Sequence, residues 1–271
     1  MKVLVTGSSG YLGSSLSPFL GQKGYEVQDF DAVKGDDILD EEQVKRSTNG
    51  CDAIVHLAGI VGMTAVDKDV AKARSINVQG TANVVSCGLR VIFPSVLVGY
   101  EKTVIDETTP CYPKHPYYQQ KMEAEKMVLS ARKDNLALRF GSHYGVSPTM
   151  RNDLLVHFLM VQAMTKGEIS LYQPEFLRPI TNVQDTLRVI AFFLKGLELG
   201  GIYNVVSTNI PKREICREIQ KVVGCKVIED TQGKDEAERN YWASTKKIEN
   251  LGFVFHPNLR KSIRELVKVL K

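Results

Sequence analysis

Short apolar runs with little polar alternation, each followed by a stretch of helical periodicity, fill the first half of the chain. KVLVT (2–6), EVQDF (26–30), AIVHL (53–57), RVIFPS (90–95) and LALRF (136–140) read as strands, and runs of this kind are covered on both faces. Between them, Leu12, Leu16, Phe19 and Leu20 share one side of a helix, a long helix is expected through 68–88, and another starts at Pro116. The order predicts an α/β fold, a doubly wound parallel sheet with helices on either side.

After Gly145 the rhythm changes. A helical run from Asp153 to Lys166 precedes a short strand, ISLYQ, and LRPITNVQDTLRVIAFFLK reads as a loop running into an apolar helix. A strand at 202–206, a helix at 212–223 and a terminal helix at 258–270 complete the pattern, with no linker and no internal repeat. At 271 residues the chain exceeds what one core serves, so two interleaved lobes are expected. The first takes 1–141 plus 178–205; the second, a smaller α/β substrate lobe, takes 142–177 plus 206–271.

Composition narrows the function. With 43% hydrophobic and 24% charged residues and no low-complexity tract, disorder is not expected. A net charge of +4, from 35 basic and 31 acidic residues dispersed along the chain, argues against nucleic acid and suits an anionic small molecule. The five cysteines form no CxxC pair and have no histidines at ligand spacing, so we expect neither metal nor disulfides, but reduced thiols of a cytoplasmic protein. MKVLVTGSSG reaches glycine too soon for a signal-peptide core, and no apolar run approaches the roughly 18 residues of a span, so no membrane partner is expected.

Two motifs carry chemistry. TGSSGYLG places Gly7, Gly10 and Gly13, with Tyr11 and Leu12 between them, where a strand turns into a helix. Such glycines let backbone N–H groups and the positive helix end approach a pyrophosphate, the Rossmann arrangement. Asp31, eighteen residues past Gly13, ends the second strand. Its carboxylate would accept from an adenosine ribose and repel a 2′-phosphate, which favours NAD over NADP; the bland reading is a solvated aspartate. In HPYYQQKMEAEK, Tyr117 and Lys121 are four residues apart and share a helical face, so an ammonium can hold a phenol's proton affinity down.

Taken in order, these motifs resemble the extended short-chain dehydrogenase/reductase family, and within it the NAD-dependent nucleotide-sugar epimerases and dehydratases. Further matches are Asp37 and Ile38 in GDDILD; Leu57, Ala58 and Gly59 in HLAG; Asn77 in INVQGTANV; and Arg178 and Arg239 in FLRPITNVQD and ERNYWASTKKIENLGF. The resemblance implies that the first six of these line the NAD site and that Lys121 also holds the nicotinamide ribose. It makes Tyr117 the acid/base and assigns Arg178 and Arg239 to the nucleotide diphosphate of a sugar substrate. It also implies a homodimer through helices at about 68–88 and 116–133.

The departures matter. The family's reactive hydroxyl falls on Val96 by a gapless count from Arg90, and on Ser95 if one residue is deleted; we take Ser95, the hydroxyl at that strand end. Gln120 replaces a small hydroxyl residue before the lysine, a change expected to matter little. The Asp-Glu pair of 4,6-dehydratases is absent, since Val96 and Leu97 stand there, so dehydration is disfavoured. The expectation is a nucleotide-sugar epimerase acting at C4 through a keto intermediate. Alternatives are a keto-sugar reductase or small-alcohol dehydrogenase using NAD(P), and an NAD-binding regulator with impaired catalysis.

Overall fold

The computed structural model describes residues 1–196, 198–235 and 239–270. The chain groups into two compact units. The first comprises Met1–Val96, Pro113–Arg139 and Leu187–Tyr203; the second comprises Leu97–Tyr112, Phe140–Thr186 and Asn204–Lys271.

A six-stranded sheet organises the first unit, in the order Gly201–Val205, Leu136–Phe140, Arg90–Val96, Ala53–His56, Lys2–Thr6, Glu26–Phe30. Lys2–Thr6 pairs in parallel with both Glu26–Phe30 and Ala53–His56, and Ala53–His56 pairs in parallel with Arg90–Val96. The inner strands are apolar because both of their faces are covered: Val3, Leu4, Val5, Ala53, Ile54 and Val55 are all fully buried. Glu26–Phe30 lies at the edge, which explains its more polar text. Leu4, Phe30, Ile54, Val91, Phe93, Ala124 and Val128 pack as one core between the sheet and the helix Pro116–Ala131. The chain leaves the first strand toward one side of the sheet for the second strand and returns on the other for the third. That reversal puts a crevice at the carboxyl end of Lys2–Thr6, where dinucleotides bind in such sheets.

The helix expected through 68–88 is observed in three parts, Val70–Arg74, a π-helical turn Ser75–Gln79, and Gly80–Ser86. One extra residue in the turn rotates Asn77 inward, where it is buried.

In the second unit, LRPITN is not a loop but the strand Leu177–Asn182, central in a three-stranded sheet with Thr208–Pro211 antiparallel and Ser142–Tyr144 parallel to it. A proline is disfavoured in a central strand, and here pairing on both sides of Leu177–Asn182 overrides that preference. Residues 97–112, 140–141, 178–186 and 204–205, expected in the first lobe, group with the second unit. Helices Leu155–Lys166, Lys212–Val223 and Leu259–Val269 bury Leu159, Met160, Ile215, Ile219, Ile263 and Leu266 in its core. Among the described residues, no helix is long and apolar enough to cross a membrane, and all five cysteines are free thiols.

Candidate active site

The glycine turn is built by exclusion. Gly7 has φ +70°, and a Cβ there would lie 2.6 Å from the backbone nitrogen of Ala58 at the end of the third strand. A Cβ on Gly13 would collide with the carbonyl oxygen of Gly7 and with Ser8. Only glycine lets the turn fold against its neighbours here. The helix Gly13–Gln22 that follows has no side-chain cap and no acidic residue in its first turn, so no side chain of its own answers its positive end. Tyr11 is buried beside this turn and Leu12 is half-buried at the helix start.

Asp31 is 8% exposed and accepts from the backbone N–H of Ser9 at 2.8 Å and of Val33 at 2.9 Å. It therefore ties the end of the second strand to the glycine turn. Each carboxylate oxygen keeps a further lone pair for a ribose hydroxyl. Ile38 is buried under Gly80, whose Cβ would stand 2.9 Å from it. Asp37 is exposed and turns back on its own loop, accepting from the N–H of Leu39. Leu57 and Ala58 are half-buried and Gly59 is exposed, all three following the third strand. Asp31→Asn should lower the ratio of NAD to NADP affinity about tenfold, roughly 1.4 kcal/mol, as read by titrating both dinucleotides. An unchanged ratio would separate Asp31 from cofactor choice.

The Asn77 side chain makes three hydrogen bonds: its amide oxygen accepts from Ile60 N–H at 2.8 Å, and its NH₂ donates to Ile60 O at 3.0 Å and Gln120 Oε1 at 2.9 Å. It holds the loop after the third strand to the helix that carries Lys121. Gln120, the departure expected to matter little, is 3% exposed and is the far end of that link; a serine or threonine is too short to make it.

The helix Pro116–Ala131 starts on a histidine cap. His115 Nδ1 accepts from the N–H of Tyr117 at 3.1 Å, while His115 Nε2 stands 3.1 Å from Asp67. Proline at the first helical position, whose missing N–H costs nothing there, completes the start. The cap fixes where Tyr117 (5% exposed) and, one turn on, Lys121 project. Lys121 Nζ lies 3.9 Å from the ring centroid of Phe93 in the strand Arg90–Val96. Side chains two apart in a strand share a face, so Ser95 is on the Lys121 side and Val96 on the other. The Ser95 hydroxyl is 2% exposed and has no hydrogen-bond partner. Left unmet, such a group costs roughly 1–3 kcal/mol, which a ligand oxygen would recover.

Burial pushes the Lys121 ammonium down to about 7, with the Glu125 carboxylate pulling the other way. Glu125 is bound to Arg139 by two hydrogen bonds, 2.6 and 3.1 Å. His56, between Thr6 and Thr81 hydroxyls, is lowered to about 3, first by burial and then by Lys121, so it is neutral and structural.

The second unit places Arg178 and Arg239 on one carboxylate. Asp235 lies 3.2 Å from Arg178 Nη1 and 2.6 Å from Arg239 Nη2. Burial opposes the charge on Asp235, but the two guanidinium groups hold it below the usual carboxylate range. Arg178 is 3% exposed, and burial together with the neighbouring Arg239 charge lowers it to about 10. Lys212, absent from the sequence reading, is 1% exposed in the same cluster. At the head of an amphipathic helix it reads in sequence as a solvated charge. Asp185, in contrast, is structural, accepting from Ser207 Oγ and His256 N–H.

A doubly wound sheet with a glycine turn at its switch point and a buried acceptor beside it defines a dinucleotide-binding protein. The model of the NAD-dependent epimerase/dehydratase family matches residues 3–206, and the chain belongs to that family. The residues present fit that cofactor: a glycine turn that only bare backbone can form, an uncapped helix start, and Asp31 poised at the turn. The chain is 34% identical to the 3-beta-hydroxysteroid dehydrogenase of Mycolicibacterium neoaurum over 155 residues, 47% of this chain and 42% of that protein. The match thus spans less than half of that relative. To the dTDP-glucose 4,6-dehydratase of Streptomyces niveus it is 25% identical over 268 residues, 83% of this chain and 78% of the other. Its fold is that of the UDP-glucuronic acid 4-epimerase of Bacillus cereus, solved in complex with UDP-glucuronic acid and NAD, with TM-score 0.85, 22% identity and 100% of each chain covered.

Proposed function

We propose that the protein is an NAD-dependent nucleotide-sugar epimerase acting at sugar C4 through a keto intermediate. The observation that carries this reading is the seat of the Tyr117–Lys121 face: Lys121 lies over Phe93, on the side of the strand where the Ser95 hydroxyl is buried without a partner. Bound NAD supplies the capacity to accept a hydride from carbon and to return it. The chain supplies the rest. Tyr117 takes the proton of the C4 hydroxyl as the carbonyl forms and gives it back when the carbonyl is reduced. Lys121, when charged, favours the phenolate and lowers the cost of that transfer. Ser95 donates to the sugar oxygen and so fixes which carbon stands opposite Tyr117. Asp31 and the glycine turn hold the adenosine half of the cofactor, and Arg178 and Arg239 take the diphosphate.

Net oxidation or reduction is the second reading, favoured by the dehydrogenase relative matched over 155 residues. The buried cations of the second unit favour an anionic substrate over an apolar one such as a steroid. Incubating purified protein with UDP- and dTDP-hexoses separates the two. The C4 epimer without net change in NADH supports epimerisation; stoichiometric NADH change supports an oxidoreductase; no conversion of any sugar, together with NAD found on denaturing the protein, supports a non-catalytic NAD-binding role. Dimerisation through the helical segments around 68–88 and 116–133 belongs to the same proposal, to be read from sedimentation.

A further inference from the structure

Lys212 is a buried cation whose one close favourable contact is an aromatic ring. Its ammonium has no hydrogen-bond partner, its residue is 1% exposed, and it lies 3.4 Å from the ring centroid of Tyr172. It begins the helix Lys212–Val223, the end at which the helix dipole disfavours a cation. Its placement follows from the sheet: Ile210 pairs with Arg178 and Pro211 with Leu177, and the N–H of Lys212 donates to Phe176 O. The strand pair therefore delivers Lys212 next to Arg178. Arg178 Nε is likewise buried without a partner. Among the described residues the cluster holds three cations, Arg178, Lys212 and Arg239, around the single carboxylate of Asp235, so two positive charges are unanswered. Burying uncompensated charge lowers stability unless a ligand of opposite sign arrives.

We propose that Lys212 is a third substrate-binding cation, which with Arg178 and Arg239 forms a site for a doubly charged diphosphate diester, and that Asp235 sets the count by neutralising one of the three. This rests on the nucleotide-sugar reading above and goes beyond it in naming the residue and the charge. Arg239 is the half-exposed member, with 29% of its side chain accessible, so the anion enters from its side. Tyr172 backs the ammonium with its ring face and leaves the N–H groups turned away from the ring for phosphate oxygens.

The test is Lys212→Met in the 271-residue chain, titrated by calorimetry with UDP, dTDP and inorganic pyrophosphate, with NAD affinity as the control for folding. We expect at least tenfold weaker binding of all three anions, unchanged NAD affinity, and a melting temperature without ligand equal to or above that of the parent. Unchanged anion affinity overturns the proposal. So does weaker binding accompanied by a lower melting temperature, which would make Lys212 a structural residue, and so does a parent protein that binds none of the three. Pyrophosphate binding that depends on Lys212 without turnover of any nucleotide sugar would retain this site and reject the epimerase reading; C4 epimerisation with Lys212→Met binding as tightly as the parent would do the reverse.

Discussion

Tyr117→Phe should lower turnover by about 10²–10⁴-fold while leaving NAD affinity within a factor of about three, because general acid–base transfer carries that much of the rate and the phenyl ring keeps the packing. The ring is 5% exposed and its centroid lies 4.9 Å from that of Tyr118, the two planes tilted by 51°, a contact that phenylalanine preserves. Tyr118→Phe is the internal comparison: Tyr118 is also buried, but it has Met122 rather than a lysine four residues on. Steady-state rates of the two variants should therefore differ by at least tenfold. Equal, small losses in both would remove the proton-transfer role from Tyr117.

Arg139→Leu should cost about 3–5 kcal/mol of folding stability, the largest single effect expected outside the catalytic residues. The Arg139 and Glu125 side chains are 6% and 2% exposed, so removing the guanidinium strands a carboxylate in the core. For a chain of this size the melting temperature should fall by roughly 2–4 °C per kcal/mol, and calorimetric unfolding reads it. Replacing both partners, Arg139→Leu with Glu125→Leu, should recover most of the loss, since two apolar groups leave no charge behind. A double variant as unstable as the single one would show that the pair contributes more than mutual compensation. Because Glu125 pulls the Lys121 ammonium upward, the double variant should also push it below its value of about 7. Stability follows from the same depression. Lys121 costs the fold most below pH 7, where it is charged in both states, and least above its ordinary value near 10.5.

Much of the first unit was legible because its signals are local. Apolar runs, the glycine spacing and a tyrosine four before a lysine all lie within a few residues of one another, and each imposes its geometry without help from distant parts of the chain. What escaped depends on partners far along the sequence. LRPITN became a strand because residues 142–144 and 208–211 flank it. Gln120 became a buried link because Asn77, forty-three residues earlier, is turned inward by a π-helical step with no signature in its text. The choice between Ser95 and Val96 rested on gap placement in sequence; in the folded strand it reduces to which side of the pleat faces Lys121. Lys212 was hidden for the opposite reason, since a lysine in the first turn of an amphipathic helix is ordinary until its burial is known.

The central claim is that a phenol steadied by its neighbouring ammonium passes a proton to and from one sugar hydroxyl while the hydrogen on that carbon leaves and returns. It is tested most directly with a nucleotide hexose carrying deuterium at C4. The label should remain at C4 of the inverted sugar, with no net NADH and with exchange into water absent. Deuterium accumulating in free NADH beside a ketone, or lost to solvent, would contradict it.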